Sequence, residues 1–134
     1  MTPKAIKMFG VAKELSKLSS ITRHSIGAVL VSKNWDIIGV GSNVRKSHPK
    51  QADFARRVGL EHKIYMHAEV QCLVNAKQRN LNGSRIFVYR EFRDGLRAIA
   101  RPCPICMKAI KHFGIRDIYY TTNDGYAYEV IDID

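Results

Sequence analysis

The sequence predicts an α/β protein in which helices pack on one mixed sheet of five strands, and three observations carry that prediction. Apolar residues at helical spacing alternate with short β-rich runs, in the order helix, two strands, helix, strand, helix, strand, strand. The 134 residues are enough for one hydrophobic core and too few for two ordinary ones, so 1–134 reads as a single domain. No internal repeat or linker interrupts the order.

The first helix opens at Thr2-Pro3, an N-cap followed by proline in the first turn. Ala5, Met8, Phe9, Ala12 and Leu15 then recur at helical spacing between lysines. A basic, serine-containing start of this kind also fits a mitochondrial presequence, but packing of the apolar stripe on a sheet explains the same residues and is favoured. Residues 26–31 and 37–40 read as a hairpin with Trp35 near its tip, where the indole is either a partial core cap or an oligomer contact. From 41 to 66 periodicity is lost and Arg45, Lys46, Lys50, Arg56, Arg57 and Lys63 collect, with a short helix around 51–58. So long an aperiodic stretch is usually functional, and closure as a lid over a substrate is one use for it.

Helical spacing returns at 67–78, a strand follows at 85–90, and a charged loop carries Arg93, Arg97 and Arg101. The next helix starts at Pro102-Cys103-Pro104 and runs to Phe113, with Gly114 as its C′ residue. A strand at 118–122, the turn Asn123-Asp124-Gly125 and a strand at 126–133 complete a C-terminal β-hairpin.

Composition narrows the function. With 46% hydrophobic and 25% charged residues the chain is neither disordered nor low-complexity. The longest purely apolar run, 26–31, is too short for a membrane span or a secretory core, which predicts a cytoplasmic protein with no membrane partner. Three cysteines, two of them in Cys103-Pro-Ile-Cys106, suit metal or redox chemistry in a reducing compartment better than a disulfide framework. Twenty-two lysines and arginines against 12 aspartates and glutamates leave +10, a field that concentrates anionic ligands such as nucleotides or nucleic acid.

Two motifs carry chemistry, and each opens a predicted helix: His67-Ala68-Glu69 and Pro102-Cys103-Pro104-Ile105-Cys106. Cys103 and Cys106, three residues apart, fall on one side of a first helical turn, where the positive end of the dipole favours thiolate over thiol. The imidazole of His67 and two thiolates make three ligands for Zn2+ and leave the fourth tetrahedral position to water, a catalytic arrangement. Glu69 is not needed as a ligand and reads as the proton shuttle for that water, whose pKa zinc lowers toward about 7. H-x-E followed by P-C-x-x-C is the known signature of zinc base deaminases.

At these residues the chain resembles the cytidine deaminase-like superfamily, which includes cytidine, deoxycytidylate, tRNA adenosine and polynucleotide cytidine deaminases. The resemblance covers most of the chain and implies a three-layer α/β/α fold and hydrolytic removal of a base amino group. Gly41-Ser42-Asn43 looks like the family's Gly-x-Asn, which implies contact of Asn43 with the sugar or base. Ala68 looks like the small residue whose backbone closes the base pocket. Arg101 stands where several branches carry serine or glutamate. The C-terminal hairpin resembles the nucleoside branch, whereas His67, where that branch commonly has cysteine, points to the others.

Ordinary structural roles compete for some of these residues. A structural zinc site needs a fourth ligand, and Cys72, the remaining cysteine, falls on another face of the 67–78 helix and reads as a small core residue. His24, His48, His62 and His112 read as surface or packing residues, with a reservation for His24 beside the first strand. Arg90, Arg93, Arg97 and Arg101 are candidates for phosphate contact, Arg101 foremost because it adjoins the cysteines. Phe54, Tyr65, Phe92 and Tyr126 are candidates for stacking on a base, though aromatics are normally core. The reading is therefore zinc-dependent hydrolytic deamination of a nucleobase, cytosine to uracil in a nucleotide such as dCMP or a related cytidine compound. The alternatives are a deaminase acting on cytosine or adenine in single-stranded DNA or RNA, and a noncatalytic zinc-containing nucleic-acid-binding module. Glu69 counts against the last.

Overall fold

In the computed structural model, which describes residues 1–21, 23–60, 66–76 and 80–132, the central strand explains the rest of the architecture. The elements are α1 (Pro3–Ser16), β1 (His24–Val31), β2 (Ile37–Ser42), α2 (Pro49–Arg57), α3 (Ala68–Val74), β3 (Arg85–Phe92), α4 (Pro104–His112), β4 (Asp117–Thr121) and β5 (Tyr126–Val130). Ala28, Val29, Leu30 and Val31 are all fully buried, as a strand covered on both faces requires. Alternate residues then sort into two layers. Val29, Val31, Phe87 and Tyr89 pack against Ala5, Met8, Phe9 and Ala12 of α1. Ala28, Leu30, Ile86, Val88 and Ile118 pack against α2, α3 and α4. The result is the three-layer α/β/α arrangement.

The sheet has five strands in the order β2-β1-β3-β4-β5. β1 is antiparallel to both β2 and β3, β3 and β4 are parallel, and β4 and β5 form the antiparallel C-terminal hairpin. Two glycines bring helix backbones onto the sheet: a Cβ on Gly27 would lie 2.0 Å from the Ala12 carbonyl oxygen, and one on Gly41 2.2 Å from that of Ala68. Any side chain at Gly41 would push the start of α3 away from the strand.

The predicted helix signals act as read. The Thr2 hydroxyl accepts the Ala5 N–H at 3.3 Å, and Gly114 adopts φ 80° just past α4. His48 is the N-cap of α2, its Nδ1 accepting the Lys50 N–H at 3.0 Å. Trp35, at φ 69°, caps the α1 layer with its ring 6.1 Å from Phe87 and the Arg85 guanidinium 4.3 Å above it. Helix α3 ends at Val74, short of the predicted 78, and Gln78, His62, Lys63, Tyr65 and Ile133 lie outside the described residues.

Backbone pairing accounts for two further departures. The two ends of the aperiodic stretch are joined, Val44 N–H to the Met66 oxygen at 3.1 Å and Met66 N–H to that of Lys46 at 2.8 Å. β3 runs past 90 to Phe92, then turns back, with the Ala98 N–H bonded to the Arg90 oxygen at 3.0 Å and the Ala100 N–H to that of Thr121 at 2.9 Å. Residues predicted as loop thus thread between the diverging ends of β3 and β4, and this aims Arg101 and Cys103 at the site. No helix among the described residues is long and apolar enough to cross a membrane.

Candidate active site

The two motifs meet where the parallel pair β3–β4 ends, the edge at which open α/β sheets place ligands. His67 is the N-cap of α3 and Cys103 the N-cap of α4, and neither side chain caps its own helix; both turn inward. Nδ1 of His67 lies 3.3 Å from Sγ of Cys106 and 3.5 Å from Sγ of Cys103. The three donor atoms all lie within 4.8 Å of one another. Zinc with Zn–S of about 2.3 Å and Zn–N of about 2.0–2.1 Å sets tetrahedral N···S edges near about 3.6 Å, so the donor set fits zinc in both chemistry and spacing. Cys72, fully buried in the core, does not join the group.

Electrostatics separate the two sulfurs. A hydrogen bond from Cys106, assisted by one from the His67 imidazole and opposed by burial, brings the Cys103 thiol down to about 4. Burial pushes the Cys106 thiol well above its ordinary range. One sulfur is a ready anionic ligand, and the other gives up its proton when a cation binds.

Glu69, one residue into α3, is 5% exposed, and its Oε1 has no protein partner. Burial raises its carboxyl above the usual range, while the neighbouring His67 pulls the other way. A protonatable carboxyl beside a three-ligand cluster can exchange a proton with whatever enters.

The cavity at this point, of about 120 Å³, is walled by His67, Glu69, Cys103, Ile26, Arg90 and Arg101 among others. A larger groove of about 680 Å³ on the α1 face contains none of the motif residues, so chemistry, not size, selects the site.

The remaining predicted residues divide. Ala68 is fully buried at the start of α3, its backbone against Gly41. Asn43 is also buried, and its amide is held by β1: Oδ1 accepts the Ile26 N–H at 2.9 Å and Nδ2 donates to the His24 carbonyl at 3.1 Å. It thereby fixes the strand that carries Ile26 into the cavity. Arg101 reaches the rim but holds Glu129 of β5 in a bidentate pair, Nη2 to Oε1 at 2.8 Å and Nε to Oε2 at 3.0 Å. Phe54 is core, Tyr126 stacks on Phe9 at 4.1 Å, and Arg97 lies over Tyr126, all outside this cavity.

Gln51 has no counterpart in the sequence reading. From α2 it is fully buried, and its Oε1 accepts the His67 backbone N–H at 3.1 Å. Its place in a short helix was legible; its reach to a residue sixteen positions on was not.

Residues 3–122 match the family model described as the cytidine and deoxycytidylate deaminase zinc-binding region. No curated protein matches the chain. Among solved structures, the fold is similar to that of dCMP deaminase from the cyanophage S-TIM5 in apo form (TM-score 0.63, 24% identity, 91% of this chain and 86% of that one covered). It is similar to the same enzyme in complex with dCMP and dUMP (TM-score 0.63, 23% identity, 91% and 84% covered). Cytidine deaminase from Burkholderia pseudomallei is also similar in fold (TM-score 0.62, 15% identity, 97% and 93% covered). With the family's region spanning nearly the whole chain and a His-Cys-Cys cluster that fits its metal, the chain belongs to the cytidine and deoxycytidylate deaminase family and is a zinc-dependent deaminase.

Proposed function

We propose that this chain, acting as one deaminase domain over 1–134, converts cytosine to uracil in a free nucleotide such as dCMP. The observation that carries the reading is the buried Glu69 carboxyl, one oxygen of which has no partner, beside His67, Cys103 and Cys106 in a cavity walled by arginine. His67, Cys103 and Cys106 hold zinc, which when bound supplies Lewis acidity toward the water that hydrolysis consumes. Glu69 takes one proton from the attacking water and delivers it to the ring nitrogen of the base, then carries the second proton from the added hydroxyl to the departing amino group, so that one water enters and one ammonia leaves. Ile26 and the Arg90–Arg101 side wall the base in, with Ala68 and Asn43 fixing the elements behind them. The similarity of fold to an enzyme that binds dCMP and dUMP supports the nucleotide choice.

The net charge of +10 favours one second reading, deamination within single-stranded DNA or RNA. Ammonia release from cytidine, deoxycytidine, dCMP, dCTP, adenosine and a single-stranded oligonucleotide separates the two. The proposal expects dCMP to be turned over with the highest kcat/KM, and turnover of the oligonucleotide alone contradicts it.

A further inference from the structure

Resting on the nucleotide reading, we propose that Arg90 is the specificity-determining residue of the site, its guanidinium receiving the 5′-phosphate and so selecting nucleotide over nucleoside. Arg90 sits on β3 two residues beyond Val88, the last to pair with β4, and shares the face of Ile86 and Val88 that looks onto the metal-binding helices. It walls the same cavity as His67, Glu69 and Cys103. Its backbone is pinned on both sides, opposite Ile26 in β1 and through its N–H to the Thr121 hydroxyl at 3.1 Å, so the side chain is presented from a rigid strand.

What distinguishes Arg90 is unused donor capacity. Nη1 donates to the Ile99 carbonyl at 3.3 Å, and Phe92 lies under the guanidinium with its ring centre 5.7 Å away. Nε is buried without a partner, and no ion pair to Arg90 is formed among the described residues. An arginine cannot shed its proton, and the carboxyl on the cavity wall, Glu69, makes no ion pair with it, so an incoming anion is the match for its charge. A neutral base carbonyl would satisfy one N–H but leave the charge uncompensated; a phosphate compensates it and fits the planar fork. Arg101, on the same rim, is not equivalent, because Glu129 occupies its fork and the Tyr120 hydroxyl donates to the same carboxylate at 3.2 Å.

The test is the ratio of kcat/KM for dCMP to that for deoxycytidine, measured on zinc-loaded wild type, Arg90→Gln, Arg90→Lys and Arg101→Gln. The ratio is expected to fall by about 30- to 100-fold in Arg90→Gln, carried by KM for dCMP, the size of effect of a lost charge-assisted bidentate contact. Arg90→Lys, which keeps the charge but not the fork, should fall between that variant and wild type, and Arg101→Gln should change the ratio less than Arg90→Gln. Wild-type preference for dCMP that survives in Arg90→Gln, or equal losses on both substrates, overturns the assignment of Arg90 and leaves the nucleotide reading standing. A wild type with no preference for dCMP over deoxycytidine overturns both. Should Arg90→Gln not fold, Arg90→Lys decides, an unchanged ratio being contrary.

Discussion

A carboxyl taken out of water without a partner on one oxygen favours its protonated form, and at Glu69 that cost is maintained beside the clustered donor atoms of His67, Cys103 and Cys106. Removing the carboxyl therefore separates proton transfer from metal binding. Glu69→Ala should keep its fold and its zinc while turnover falls by about 10²- to 10⁴-fold, the usual worth of a positioned general acid–base. Zinc content and ammonia release on one preparation check it, and retained turnover would mean that another group moves the proton. The grouping of His67, Cys103 and Cys106 with Glu69 nearby was legible in the sequence because each motif is local and its spacing survives folding. The division of labour among the arginines was not. Arg101 adjoins the cysteines in sequence, yet Glu129, twenty-eight residues on, claims its fork, whereas Arg90 is brought to the cavity by strand pairing.

Between residues and the whole molecule, α2 is the element whose purpose folding reveals. The 51–58 pattern announced a short helix inside an otherwise aperiodic stretch, and the helix forms at Pro49–Arg57, with Pro49 opening it. Hydrophobic periodicity reports which face of a helix is buried, not which backbone amide a buried amide side chain will meet, so the Gln51 bond to His67 stayed hidden. That bond holds the backbone of His67 where α3 begins. Gln51→Leu keeps the volume and removes the acceptor. It should weaken zinc binding by about 10- to 100-fold, the range for outer-sphere partners of metal ligands, as read by competition with a chelator. Unchanged zinc affinity would reduce Gln51 to packing. The 97–100 segment teaches a similar lesson: its charged side chains read as loop, while its backbone closes the gap between β3 and β4.

At the scale of the molecule, the sheet and its two helical layers bring segments about forty residues apart in the chain to one edge, and the site consists of their meeting. β1, buried on both sides, holds the sheet; the glycines of β1 and β2 let helices lie on it; the N-termini of α3 and α4 then deliver one imidazole and two sulfurs to a common point. The order of elements was legible from periodicity, and the resemblance implied the layering. The parallel pairing of β3 with β4, which sets the edge where chemistry occurs, depends on a crossover that local pattern does not encode. If this convergence binds zinc for hydrolysis, elemental analysis of a purified preparation, followed by ammonia release from dCMP before chelation, after it, and after zinc is returned, reads it directly. About one zinc per chain, loss of turnover with the metal and recovery on its return are expected; full turnover in a preparation that contains no zinc would rule a zinc-dependent site out.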